Sequence, residues 1–207
     1  MSAALLIGIG NPLRGDDGVG ARLLEELERE AERSGAADGL RQAVLRTVHQ
    51  LTPELALAVA EAQRVLFVDA WANPDRDAPW IVPLLPPPPE AGLPGGHGWD
   101  PVALVALAER LSGWRGEAAL LRVPAFAFPH GTDVSAGLEN AMPRARELLR
   151  RWLREGSLSR DGARTGAVPC HRDASPLPAL PAAAAPWSHG PVGPGGLAHG
   201  VSRLQPL

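Results

Sequence analysis

Apolar positions run unbroken through residues 3–9, the pattern of a strand buried on both faces, and the glycine-punctuated segment 10–20 turns that strand into a helix whose apolar face is Leu23, Leu24 and Leu27. The alternation over 43–48 predicts a second strand. Thr52 then offers an N-cap and Pro53 a first helical position for a helix running to about residue 60. Residues 64–68 read as a third strand ending on Asp69, and 80–84 as a fourth, placed towards a sheet edge by Pro79 and Pro83. The stretch 86–98 is dense in proline and glycine and reads as a loop. It leads into Asp100-Pro101, a cap followed by a helix-opening proline, for a helix to about residue 111. A buried strand over 118–123 and an amphipathic helix over 134–152, carrying Leu138, Ala141, Ala145, Leu148 and Leu149, complete the pattern. Strands alternate with helices, which predicts an α/β fold: a three-layer sandwich with a mostly parallel twisted sheet and helices on both faces.

The periodicity stops after Glu155. Residues 156–207 are rich in Pro, Gly, Ala and Ser and are expected to form a disordered tail behind a single domain over 1–155. Cys170, His171, His189 and His199 fall in that tail, where solvated side chains are the expectation.

Composition narrows the chemistry. A formal net charge of -3 supplies no broad basic field for phosphates, which argues against a nucleic-acid partner. No apolar run approaches the ~20 residues that span a bilayer, and no charged n-region with a cleavage site precedes the first strand, so a cytoplasmic protein with no membrane partner is expected. The chain has neither lysine nor tyrosine and a single cysteine, Cys170. Schiff-base chemistry, a Ser-Lys dyad, a phenolic acid, an internal disulfide and a four-thiolate metal site are therefore excluded.

Three places carry candidate chemistry. Gly8-Ile9-Gly10-Asn11-Pro12-Leu13 sits between strand and helix as a dinucleotide fingerprint would, but Leu13 replaces the last glycine and Pro12 removes a backbone donor. Asp16 and Asp17 stand where a pyrophosphate would meet the helix. One of these acids is expected to serve the helix start, and the pair, flanked by Gly15, Gly18 and Gly20, suits a cation. Asp69 closes the third strand at the carboxyl edge, where ligands bind in open α/β sheets. His97 lies in Gly95-Gly96-His97-Gly98, just ahead of the capped helix. An imidazole with two carboxylates is an open N/O set suited to borderline divalent metals such as nickel or zinc.

The segment Gly8-Ile9-Gly10-Asn11-Pro12-Leu13-Arg14-Gly15-Asp16-Asp17-Gly18-Val19-Gly20 closely resembles the N-terminal signature of the hydrogenase maturation proteases. Gln50-Leu51-Thr52-Pro53-Glu54-Leu55, Val65-Leu66-Phe67-Val68-Asp69-Ala70 and His97-Gly98-Trp99-Asp100-Pro101 follow in the family's order, so the resemblance covers about 1–153. It implies that Asp17, Asp69 and His97 are the nickel-binding and catalytic residues, with Asp16 the lesser candidate. It further implies an endopeptidase acting on the C-terminal extension of a nickel-containing hydrogenase large-subunit precursor, the nickel being presented by the precursor and not held permanently. A monomer is expected. The segment Val123-Pro124-Ala125-Phe126-Ala127-Phe128-Pro129-His130-Gly131 is a divergent form of the family's segment before the last helix, and His130 is expected to be an exposed or loop-end residue.

No His-Glu-x-x-His helix and no Gly-x-Ser-x-Gly elbow occurs. Metal-assisted hydrolysis and an aspartate acting as general base on a water both remain compatible with the residues. The alternative from another class is a chaperone that senses nickel in the same precursor without cutting it.

Overall fold

The computed structural model describes residues 3–34, 43–72, 76–85 and 98–155. Five strands, β1 (Ala4–Ile9), β2 (Ala43–Val48), β3 (Arg64–Trp71), β4 (Trp80–Pro83) and β5 (Glu117–Pro124), form one sheet in the order β2-β1-β3-β5-β4. The first four in that order are mutually parallel, and β4 pairs antiparallel with β5 at the edge. The helices are α1 (Val19–Ser34), α2 (Leu55–Ala60), α3 (Pro101–Ser112) and α4 (Ala136–Glu155).

The strands alternate between two apolar layers. Leu6, Leu66, Val68, Leu121 and Val123 pack with Leu23, Leu24 and Leu27 of α1 and Leu138, Ala141, Ala145 and Leu149 of α4. Leu5, Ile7, Val65, Phe67, Ala118 and Leu120 pack with α2 and α3 through Val59, Leu104, Val105 and Ala108. Both faces of the central strands are therefore covered, which is why they read as continuous apolar runs. Arg146 and Arg150 of α4 reach Glu26 and Glu30 of α1, at 3.1 and 2.5 Å, and tie the first layer's rim.

Several boundaries differ from those expected. β3 does not end on Asp69 but continues to Trp71, because its pairing with β5 persists through Trp71↔Pro124. α2 begins at Leu55, two residues after Pro53, with no side-chain cap. The pKa of the exposed Glu54 carboxylate is lowered, first by its own backbone N–H and then by the Thr52 hydroxyl, so that hydroxyl is turned to Glu54 and does not cap the helix. α4 starts at Ala136 and runs to Glu155, since Ser135 supplies its cap: Ser135 Oγ accepts from Leu138 N–H at 3.1 Å. The α3 start holds as expected, with Asp100 accepting from Ala103 N–H at 2.7 Å and Pro101 at the first position. Among the described residues no helix is long and apolar enough to cross a membrane. The tail over 156–207, with Cys170, His171, His189 and His199, lies outside the described residues.

Candidate functional site

The carboxyl ends of β1 and β3 lie side by side, and the loop after β1 folds back over them. Gly10 adopts φ 120°, and a Cβ there would fall 1.9 Å from the Asp17 carbonyl oxygen, so the turn admits only glycine. Close packing of α1 on β1 demands two more: a Cβ on Gly8 would sit 2.6 Å from Gly20 O, and one on Gly20 2.6 Å from Ile9 N. The loop passes through a 3-10 turn (Gly15–Gly18) before α1. The Asp17 carboxylate accepts from Asn11 N–H at 2.9 Å and stays partly exposed.

Asp16 behaves differently from its neighbour. It is fully buried, and its carboxylate accepts from Phe126 N–H at 2.7 Å, Ala127 N–H at 3.0 Å, Ser135 N–H at 2.8 Å and Ser135 Oγ–H at 2.7 Å. Burial alone would raise its pKa, yet these donors together hold it below the ordinary 3.8. The helix-start role expected for one of the two acids is thus corrected for Asp16, whose bonds go to the segment between β5 and α4. Backbone bonds reinforce the junction, from Asp16 N–H to Ala127 O at 3.0 Å, Gly15 N–H to Gly131 O at 3.1 Å and Gly131 N–H to Leu13 O at 2.9 Å. Asp16 is a clamp between two loops and is not free to ligate.

Asp69, half-buried on β3, has a pKa raised to about 6. Desolvation is the main cause and the Asp17 charge adds to it, while a hydrogen bond from Ala70 N–H and the charge of Arg122 oppose. The sensitivity of Asp69 to Asp17 places the two carboxylates within electrostatic reach at one end of adjacent strands, as read from sequence. Two carboxylates that feel one another's charge at one sheet edge favour a bound cation or a shared proton.

His97 lies outside the described residues; the described chain resumes at Gly98 and enters α3. Among the described residues, no group of three or more His, Cys, Asp or Glu side chains could hold a metal ion. Asp17 and Asp69 supply two oxygen-donor groups, a set compatible with a divalent cation whose other ligands come from elsewhere. His130 is exposed, as expected.

Sequence reading missed the residues beside Asp69. Arg122 faces it across the β3–β5 register and lies 3.9 Å from the Trp71 ring centroid. Trp71 meets Trp80 edge-to-face at 6.1 Å, and Arg76 covers Trp80 at 4.6 Å. Only the residue types gave any signal: Trp71, Arg76 and Trp80 are near in sequence, but Arg122 joins them only through the pairing of β5 with β3 and β4.

A scan against protein-family models finds no match, and a search of curated proteins finds none either. Solved structures do match. The hydrogenase maturating endopeptidase HybD from E. coli is 17% identical, with 74% of this chain and 93% of that one covered at a TM-score of 0.51. A NiFe hydrogenase maturation protease HycI from Thermococcus kodakarensis KOD1 is 17% identical, covering 73% and 90% at 0.52. The NiFe hydrogenase maturation protease HybD from Thermococcus kodakarensis is also 17% identical, covering 72% and 98% at 0.53. The α/β fold of this chain is the fold of those proteins.

Proposed function

We propose that this chain is an endopeptidase of hydrogenase maturation, which removes the C-terminal extension of a nickel-containing hydrogenase large-subunit precursor after nickel insertion, acting as a cytoplasmic monomer. The observation that carries the reading is the placement of Asp17 and Asp69 together at the carboxyl edge of a fold shared with hydrogenase maturation proteases. The glycine-rich signature supports it, because its glycines are the positions that press α1 onto β1 and hold Asp17 over that edge.

In this reading the nickel belongs to the substrate, and Asp17, Asp69 and His97 recognise it. When bound, the ion would polarise the scissile carbonyl or acidify an attacking water. The chain's own part is positional. The Asn11 N–H orients the Asp17 carboxylate, the Ala70 N–H orients that of Asp69, and the Asp16 clamp keeps the first loop from shifting. Asp69, with a pKa near 6, can also accept a proton from water close to neutral pH.

The test is to mix purified protein with nickel-loaded and nickel-free precursor and weigh the products by mass spectrometry. A single cut of the loaded form, lost in Asp69→Ala and His97→Ala, is expected. Cutting of the nickel-free form would remove nickel sensing and leave the peptidase; binding of the loaded precursor without any mass loss would make the chain a nickel-sensing chaperone.

A further inference from the structure

The sheet by itself does not fix how far apart the two candidate acids stand. Direct pairing of β1 with β3 ends at Gly8↔Val68, just short of Asp69, and Asp17 follows only after the first loop has turned through Gly10 and Gly15. Past that pair, each acid is carried on its own piece of chain. The two pieces are joined by the start of the segment between β5 and α4. Ala125 N–H donates to Trp71 O at 3.0 Å, and the next two, Phe126 and Ala127 N–H, donate to the Asp16 carboxylate at 2.7 and 3.0 Å. Trp71 lies just past Asp69 on β3, and Asp16 is the immediate neighbour of Asp17.

Ala125, Phe126 and Ala127 belong to neither helix nor strand, so their place is set from outside. Pro124 and Pro129 bracket them and restrict the backbone on both sides. Gly15, at φ 56°, lets the first loop close on them: a Cβ there would fall 2.8 Å from Pro129 Cδ and 3.0 Å from Ala127 O. Ser135 closes the far side. Its N–H and Oγ–H donate to Asp16 at 2.8 and 2.7 Å, while the same Oγ accepts from Leu138 N–H and so caps α4. Arg22 of α1 adds a bond to the Thr132 carbonyl. An ionised acceptor makes each bond to Asp16 stronger than its neutral equivalent, and four such bonds to one stretch of chain leave it little freedom.

We propose that Ala125, Phe126 and Ala127 form a strut that sets the spacing between Asp17 and Asp69, and that Asp16 and Ser135, which anchor it, are positioning residues for the reaction at those acids. This rests on the reading of Asp17 and Asp69 as a peptidase site. A misplacement of roughly 1 Å from a change outside the chemistry can cost about a hundredfold in rate, so the strut acts on the chemical step and not on how tightly the precursor is held.

The experiment has two arms, each run on full-length wild type, Ser135→Ala, Ser135→Thr and Asp16→Asn. In the first, NMR follows the backbone amides of Asn11 and Ala70, the donors to the Asp17 and Asp69 carboxylates. In the second, kcat and KM are measured on nickel-loaded precursor by product mass. Both amides should shift in Ser135→Ala and further in Asp16→Asn, with kcat down roughly tenfold and roughly a hundredfold and KM within about twofold. Ser135→Thr, which keeps the hydroxyl and the N–H, should recover most of the loss. If Asp16→Asn does not fold, Ser135→Ala decides alone. A shift at Asn11 with Ala70 unmoved overturns the strut, because Asp16 then anchors only the first loop. An unchanged kcat in folded Ser135→Ala, or a loss confined to KM, overturns the positioning role while the peptidase stands. If wild type cuts nothing, the peptidase is removed, and the two amides still decide whether the strut joins the acids.

Discussion

At the amino edge of the sheet Arg64 is buried against the Trp152 ring at 4.1 Å and donates to the Leu153 carbonyl at 2.8 Å, closing the end of α4. Trp114 Nε1 likewise donates to Ala62 O at 2.7 Å. At the carboxyl edge the aromatic and charged residues stay partly open, and Asp69 is held in a form that is costly to ionise. Both edges use tryptophan and arginine. The first packs them inward against the fold, the second leaves them half-open to solvent, so dense packing and the candidate site lie at opposite ends of the strands.

The comparison is broken most severely by removing the acids. Asp17→Asn and Asp69→Asn should each reduce precursor processing by roughly a hundredfold or more, given that even outer partners of metal ligands commonly cost 10–100-fold. Stability should hold: at pH 7 Asp69→Asn should be as stable as wild type or more so, because a carboxylate with a raised pKa stabilises the fold least when ionised. Urea unfolding of Asp69→Asn below wild type would show that the carboxylate is structural.

The converse change is Trp152→Ala at the amino edge, expected to cost about 3–5 kcal/mol in denaturant unfolding while molecules that remain folded cut at the normal rate. A loss of specific activity matching that at Asp69 would mean the two edges are not independent.

Asp16→Asn falls between them, at a cost of about 2–4 kcal/mol, since an amide nitrogen cannot accept from the donors that now meet the carboxylate. The same clamp sets an acid limit. With its folded pKa below the ordinary 3.8, Asp16 contributes stability that is fully present above that value and lost as pH falls through the folded one. Asp16→Asn should therefore show a shallower decline of stability below about pH 4 than wild type in urea titrations.

The smallest effect is expected from ending the chain after Glu155, where thermal stability should change by less than about 0.5 kcal/mol and processing not at all, because a Pro/Gly-rich segment buries little apolar surface. A clear fall in either, by calorimetry or product mass, would place the segment in the domain.

How much of this was legible beforehand follows from the range of the forces involved. β1, β3 and the Asp100 cap are local: a run of apolar residues, or a cap and a proline, suffices. That Asp17 and Asp69 would share an edge was readable because parallel topology brings the carboxyl ends of β1 and β3, neighbours in the sheet, together. The role of Asp16 was not, since its partners Phe126, Ala127 and Ser135 lie more than a hundred residues away and leave no periodic trace. Pairing with β5 likewise carried β3 past Asp69, which hid Trp71 and its cationic neighbours. Thr52 had the residue type of a cap but spends its hydroxyl on Glu54.

The closure of α4 onto Arg64 also has a practical side. Because the last helix ends at the amino edge, a surface tether, reporter domain or affinity handle joined after Glu155 would emerge from the side opposite Asp17 and Asp69. Immobilised by that end, the protein would present its working edge to solution, ready for capture assays with a large, folded client.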